Sequence, residues 1–304
     1  MSAAELGVAG TRAPGAGGPD LSAAGIGAPA GTGADDVSAD EVSAADVSVA
    51  DTTVVRLTQR AEPARTLVCL GFCGGGTASF HPWIPVLPDD TDLVAICYPG
   101  REGRFLEDCA QTWDALAADA VHAVASVAAN GPYVLFGHSM GGWMAFEVTA
   151  RLAAAGAAVP QALVVSACNA PDQGLTERDR FPAQEQHDGE LLDWMRTHGL
   201  LPAHVLDEPE LTEMAVELMR ADIRARDTFT FAPGTRVDVP LHVLSGADDP
   251  VIDADAGTRW AALTTGGFRH DVLPGGHFYT PAVWNALPTR IAALTAPAPA
   301  PATP

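Results

Sequence analysis

The stretch that decides the fold is Tyr133-Val134-Leu135-Phe136-Gly137-His138-Ser139-Met140-Gly141-Gly142. Its apolar beginning predicts a buried strand, and the pattern from Met140 to Ala155 predicts a helix. Between them lies Gly-X-Ser-X-Gly, whose two glycines leave room for a very tight strand-to-helix turn. Such a turn lifts the Ser139 hydroxyl to the helix N-terminus, where amides and the dipole favour developing negative charge. His138 belongs to the same turn, and we expect it to point away from the serine.

The segments around this turn alternate short aliphatic runs with longer helical patterns, which is typical of parallel βαβ architecture. Further predicted strands are Thr66 to Gly71, Leu93 to Tyr98, Ala162 to Ser166, Leu241 to Ser245 and Arg269 to Leu273. Further predicted helices are Thr112 to Ala129 and Pro281 to Leu294. Residues 170–240 show no strand pattern, and Glu190 to Arg196 and Glu210 to Arg226 have helical apolar spacing. We predict an α/β-hydrolase fold over residues 53–294, a mostly parallel sheet flanked by helices with a helical lid inserted at 170–240.

A serine hydroxyl in this turn becomes a strong nucleophile only beside a base, and this fold supplies its partners in the order serine, acid, histidine. His277 follows the last predicted strand on a glycine-rich loop, which makes it the predicted base of Ser139. Asp249 follows the preceding strand and is the predicted acid, although Asp248 beside it and Asp172 are rivals. The alternative for Ser139 is a helix N-cap without chemistry.

A tetrahedral intermediate at Ser139 would need two backbone N–H donors. Met140, the residue after the serine, is the first predicted donor, and Phe72 or Cys73 on the early glycine-rich loop is the second. We take Cys73 as the working assignment. The loop lacks the Lys-Ser/Thr of a phosphate-binding P-loop, so nucleotide binding is not expected. Cys73 as a nucleophile would need a base of its own.

Several segments share a pattern with one known family. They are Gly74 to Phe80 with Trp83, Tyr98-Pro99-Gly100-Arg101-Glu102, Gly137 to Gly141, Arg220-Ala221-Asp222, Gly246 to Pro250 and Gly275-Gly276-His277-Phe278. Together they resemble the type II thioesterases, the stand-alone editing enzymes of polyketide and nonribosomal peptide assembly lines. The chain departs from the family at Gly71-Phe72-Cys73-Gly74-Gly75, where the family usually has Pro-His-Ala-Gly-Gly.

The resemblance implies a serine hydrolase that removes acyl groups from the phosphopantetheine arm of acyl or peptidyl carrier proteins. It implies that Phe72 and Phe278 bind substrate, and that neither a metal nor an organic cofactor is needed. It also implies that the lid helices gate the channel for the acyl-pantetheine arm. Two alternatives remain: a carboxylesterase or acyltransferase that uses the same triad, and a non-catalytic member that binds carrier proteins or small ligands.

Composition narrows the classes of partner. The 304 residues carry a formal net charge of −21, which disfavours binding to nucleic acid. No apolar run is long enough for a membrane span, and the first ten residues lack the features of a secretory signal. Five cysteines without a CxxC pair fit a reducing cytoplasm. We expect a cytoplasmic monomer with disordered tails at residues 1–52 and 295–304.

Overall fold

The computed structural model describes residues 52–180, 182–183, 187–201 and 203–295. Within these residues seven strands form one sheet in the order β1-β3-β2-β4-β5-β6-β7. The strands are β1 (Val54–Arg56), β2 (Arg65–Leu70), β3 (Thr91–Ile96), β4 (Tyr133–His138), β5 (Ala162–Ser166), β6 (Leu241–Gly246) and β7 (Phe268–Leu273). Strand β1 pairs antiparallel with β3, and every other neighbouring pair is parallel. The predicted α/β-hydrolase fold class is confirmed, and β1 is a strand that the sequence reading missed.

The central strands are buried on both faces, which is why their sequences are continuously apolar. In β2, Val68 and Leu70 belong to the hydrophobic cluster on one face of the sheet, whereas Leu67 and Cys69 belong to the cluster on the other face. All four side chains have no exposed surface. The sequence of such a strand is a continuous apolar run and does not alternate between apolar and polar residues.

Helical segments lie on both faces of this sheet. The α-helices of the described residues are α1 (Trp113–Ala128), α2 (Met140–Ala154), α3 (Asp188–Thr197), α4 (Ala203–Leu206), α5 (Pro209–Asp227), α6 (Ala256–Ala261), α7 (Pro281–Asn285) and α8 (Ala292–Thr295). Helices α1 and α2 pack on the face of Val68 and Leu70, together with apolar residues of α3 and α5. The opposite face is covered by the 3₁₀ helix Thr77–Val86 and the segments around α7 and α8.

The predicted helix from Pro281 to Leu294 is wrong as a single element. The structure divides it into α7, a 3₁₀ turn at Leu287–Arg290, and α8. The turn contains Pro288, which has no N–H to donate and whose ring crowds the preceding turn of an α-helix. The broken segment still buries Leu287 and Ile291 against the sheet, so its apolar spacing reflects packing rather than a continuous helix.

Helices α3, α4 and α5 lie within the segment predicted to form the lid. Helix α5 contacts both α3 and α1, so the lid packs on the body next to the sheet. The predicted boundaries of the domain and lid stay predictions. The predicted tails lie outside the described residues, apart from Thr52 and Thr295. In the part of the chain that is described, no helix combines the length and the apolar composition needed to cross a bilayer.

Candidate active site

The turn between β4 and α2 holds Ser139 in a backbone conformation that L-residues rarely adopt, with φ 54° and ψ −122°. The geometry depends on the flanking glycines. A Cβ on Gly137 would overlap the carbonyl oxygen of Gly141, and a Cβ on Gly141 would overlap the carbonyl oxygens of Leu70 and Gly71. Strain of this kind is maintained only where the surrounding structure imposes it. The turn leaves Ser139 partly exposed beside an otherwise buried helix start.

Three side chains from distant parts of the sequence form one hydrogen-bonded row. The Ser139 Oγ lies 2.9 Å from His277 Nε2, and His277 Nδ1 lies 2.9 Å from Asp249 Oδ2. The other Asp249 oxygen accepts a hydrogen bond of 2.9 Å from the Val251 amide. Asp249 has no exposed side-chain surface, so its carboxylate is fixed in place. This arrangement favours the tautomer in which Nδ1–H donates to Asp249 and Nε2 accepts the serine proton.

Two loops at the carboxyl ends of β6 and β7 bring the acid and the base together. Gly246, at the end of β6, sits so close to the His277 loop that a Cβ would overlap the carbonyl oxygen of Gly276. The Asp248 amide donates to the Gly275 carbonyl at 2.9 Å and ties the two loops. The missing Cβ therefore allows the close approach on which the contact between Asp249 and His277 depends.

The structure does not bring the rival acids into this row. Asp248 is exposed to solvent, although it is adjacent to Asp249 in sequence. Asp172 accepts a hydrogen bond of 3.0 Å from Arg259 Nε and forms an ion pair with the same guanidinium, 2.9 Å from Nη2. Among the described residues, Asp249 is the only carboxylate that hydrogen-bonds to the ring of His277, at Nδ1.

His138 lies beside His277 but belongs to a separate network. Its Nδ1 lies 3.0 Å from Ser166 Oγ, which lies 2.7 Å from the hydroxyl of Tyr279. Its ring centre is 5.5 Å from that of His277. Burial, with a smaller contribution from the His277 charge, lowers the pKa of His138 well below its usual value. A neutral His138 adds no positive charge beside His277.

The two predicted oxyanion donors lie side by side next to Ser139. Cys73 Sγ and Met140 Sδ are 3.5 Å apart, and both residues line the same pocket as the serine. In the described part of the chain neither backbone amide donates a hydrogen bond to a protein acceptor. Burial raises the pKa of the Cys73 thiol to about 12, which suits a packing role and not a nucleophile.

The predicted substrate residues Phe72 and Phe278 pack edge to face, with ring centres 4.9 Å apart. Both line the pocket of Ser139 and a larger, more open cavity of about 620 Å³ that adjoins it at His277. Trp194, from lid helix α3, also lines the pocket of Ser139. The pocket is therefore enclosed by the two loops and the lid.

A buried ion pair joins the loop of the proposed second donor to the lid. Arg101 donates to both carboxylate oxygens of Asp222 in α5, at 2.9 and 2.6 Å, and to the Gly75 carbonyl at 2.8 Å. The Gly74 amide donates to Asp222 at 2.7 Å. Asp222 and Arg101 therefore fix the backbone at Gly74 and Gly75, immediately after Cys73. Arg101 and Asp222 both stand in segments that carry the family resemblance, but nothing in the sequence predicts that they meet.

Sequence reasoning also missed a polar group on the lid side of the pocket. Asn169 donates to Asp179 Oδ1 at 2.7 Å and to the Val251 carbonyl at 2.9 Å, next to the amide that holds Asp249. Arg226, the penultimate residue of α5, completes the lining. No sequence pattern distinguishes Asn169 from an ordinary polar loop residue, or Arg226 from the other arginines of the lid. In the described residues no group of His, Cys, Asp and Glu side chains has the arrangement of a metal site.

Comparison with known proteins matches the thioesterase domain family to residues 65–292. A probable cadicidin biosynthesis thioesterase of Streptomyces griseus is 34% identical over 241 residues, which are 78% of this chain and 65% of the relative. The thioesterase PikA5 of Streptomyces venezuelae is 29% identical over 221 residues, 73% of this chain and 77% of the relative. The chain thus spans slightly less than two thirds of the first relative's length.

Comparison with solved structures also relates this chain to thioesterases. The type II thioesterase BorB from the borrelidin biosynthetic cluster superposes with a TM-score of 0.69 at 33% identity. The superposition covers 80% of this chain and 97% of BorB. The family match extends from β2 to the first residue of α8 and includes the lid. The chain therefore belongs to the thioesterase domain family and has its α/β-hydrolase fold.

Proposed function

We propose that this protein is a serine thioesterase that releases acyl groups from the phosphopantetheine arm of acyl or peptidyl carrier proteins. Within polyketide or nonribosomal peptide synthesis it would act as an editing enzyme. The observation that carries the proposal is the row Ser139–His277–Asp249, built on a strained turn at the floor of a lidded pocket. Membership of the thioesterase family supports the substrate class.

The geometry supports a two-stage reaction. His277 Nε2 takes the proton of Ser139, whose oxygen attacks the thioester carbonyl carbon to form a tetrahedral adduct. The Met140 and Cys73 amides donate to the oxyanion. When the adduct collapses, the C–S bond breaks and the protonated His277 gives its proton to the departing sulfur. Water then attacks the acyl-serine with His277 again as base, and the carboxylic acid leaves as Ser139 recovers its proton.

Asp249 does not take the proton in this scheme. Its carboxylate holds Nδ1–H and stabilises the imidazolium that forms after each proton transfer. The Val251 amide keeps the second oxygen occupied, so the carboxylate has one orientation. No step calls for a metal or an organic cofactor.

We further propose that the protein acts as a monomer in the cytoplasm, where carrier proteins are found. The five cysteines are all free thiols, which fits a reducing compartment. Carrier proteins are typically acidic, and this chain has a net charge of −21, so long-range attraction does not drive their encounter. Capture of the arm and local contacts with the lid would carry recognition, with modest affinity.

The test is acid release from an acyl-loaded carrier protein, followed by intact-mass measurement. Ser139→Ala should abolish release while leaving the unfolding curve unchanged, and Ser126→Ala, at an exposed site on α1, should keep the wild-type rate. Undiminished turnover by Ser139→Ala would end the proposal. Oxygen esters and added alcohol or amine acceptors, run in parallel, would reveal a carboxylesterase or acyltransferase that uses the same residues.

A further inference from the structure

Arg226 is a buried arginine beside the proposed nucleophile. It lies near the end of α5, is only 3% exposed, and lines the pocket that contains Ser139, Cys73 and His277. After burial itself, the charge of Arg226 has the largest influence on the pKa of the Cys73 thiol, which it acts to lower. The guanidinium is therefore close to the loop that carries the proposed second oxyanion donor.

Neighbouring groups hold this guanidinium rigidly but leave one nitrogen unused. Its Nε and Nη2 donate to Asp227 Oδ1 at 3.0 and 2.8 Å. Nη2 also donates to the carbonyls of Arg180 and Pro182 at 3.0 and 3.1 Å. Within the described part of the chain, Nη1 has no acceptor. Nη1 is not sealed off from solvent, and Arg226 is part of the pocket wall. A charged N–H that solvent can reach at a pocket wall is free to donate to a substrate oxygen in place of water.

Two compartments meet at the triad, and their linings indicate which part of a substrate each receives. The open cavity of about 620 Å³ touches His277 but neither Ser139 nor Arg226. The small pocket, with free space of about 30 Å³, contains all three residues. His277 lines both compartments, and only the open cavity has the volume for the long thiol arm, so the arm belongs there. The acyl group then lies on the side of Arg226, where a free space of about 30 Å³, room for about two water molecules, limits it to a short chain whose entry requires the lid to shift.

We propose that Arg226 determines specificity by donating a hydrogen bond from Nη1 to an uncharged oxygen on the acyl chain. This inference rests on the proposed thioesterase function and names its substrate class: short acyl thioesters that carry a 3-oxo or 3-hydroxy group. Arg226 is balanced by Asp227, and Asp179 adds a second carboxylate to the pocket. The pocket therefore has no surplus positive charge for an acyl group that ends in a carboxylate.

The experiment compares kcat/KM for butyryl and 3-oxobutyryl thioesters of N-acetylcysteamine, with malonyl thioester as a third substrate. The decisive quantity is the ratio of 3-oxobutyryl to butyryl rates in wild type divided by the same ratio in Arg226→Met. Intrinsic thioester reactivity cancels in this quotient. Loss of one charge-assisted hydrogen bond predicts a quotient of about 10 to 100, and malonyl thioester should be a poorer substrate than 3-oxobutyryl.

A purely structural role for Arg226 would slow both substrates alike and give a quotient near one, which would overturn the inference. Preference for malonyl over 3-oxobutyryl would overturn it as well. Arg224→Met, an exposed site on the same helix, is the matched control and should leave the ratio unchanged. Arg226→Lys keeps the charge and should retain part of the preference if Arg226→Met folds poorly. If the wild type hydrolyses no thioester, the proposed function falls too, whereas equal loss on both substrates leaves that function standing.

Discussion

Replacing Asp222 with alanine should destabilise the fold because it leaves the charge of Arg101 buried without a partner. The carboxylate accepts three hydrogen bonds, two from Arg101 at 2.6 and 2.9 Å and one from the Gly74 amide at 2.7 Å. The side chains of Arg101 and Asp222 are only 4% and 5% exposed. Breaking a buried pair from one side costs about 3–5 kcal/mol, a large part of a typical unfolding free energy of about 5–15 kcal/mol.

Urea denaturation measured by far-UV circular dichroism gives the free energy of unfolding for this comparison. The double variant Arg101→Met/Asp222→Leu removes both charges and should be more stable than Asp222→Ala alone. Asp188→Ala is the control, because Asp188 pairs with Arg220 while 77% of its side chain is exposed. It should cost at most about 1 kcal/mol. If Asp222→Ala lowers the free energy of unfolding by less than about 1 kcal/mol, the claim that burial makes this ion pair costly to break is wrong.

Three further predictions follow from single contacts. Gly137→Ala should abolish activity or folding, because the new Cβ overlaps the backbone of Gly141, whereas Gly189→Ala meets nothing within 4 Å and should be neutral or slightly stabilising in thermal unfolding. Cys73→Ala should keep turnover within about threefold of wild type, because the proposal uses the amide and not the thiol; loss of activity in a folded variant would contradict this. Burial holds the pKa of His138 below its usual 6.5, so below that pH the unfolded chain binds a proton that the folded protein does not. The unfolding free energy of the wild type should therefore be highest above about pH 6.5 and fall by up to about 1.4 kcal/mol per pH unit below it. In denaturant titrations of His138→Gln, the unfolding free energy should depend less steeply on pH below 6.5 and equally steeply above pH 7.5. Equal pH dependence of the two proteins below pH 6.5 would contradict the assignment.

The strands and the three residues of the row were accessible to sequence reasoning because local patterns specify them. The run from Tyr133 to His138 is apolar since β4 is buried on both faces, and the glycines around Ser139 are needed for a turn that admits no Cβ. Chain order then selected His277 and Asp249. Their catalytic roles stay predictions that the geometry supports.

The missed features depend on tertiary contacts that local patterns do not encode. Arg220, Arg224 and Arg226 lie on one helix and look alike in sequence, yet of these three only Arg226 lines the pocket of Ser139. Pro288 is a local signal against a continuous last helix, but the apolar spacing from Pro281 to Leu294 favours one, and the sequence prediction followed the spacing. Arg101 and Asp222 are 121 residues apart, so only the fold brings them together.

The central claim is that Ser139, activated by His277, is the nucleophile. Labelling with a fluorophosphonate probe, followed by peptide mass spectrometry, tests it most directly. The account predicts one modified peptide, carrying the label on Ser139, and its disappearance in a folded His277→Ala variant. A label on another residue, or an unlabelled Ser139 in a preparation that still hydrolyses thioesters, would contradict it.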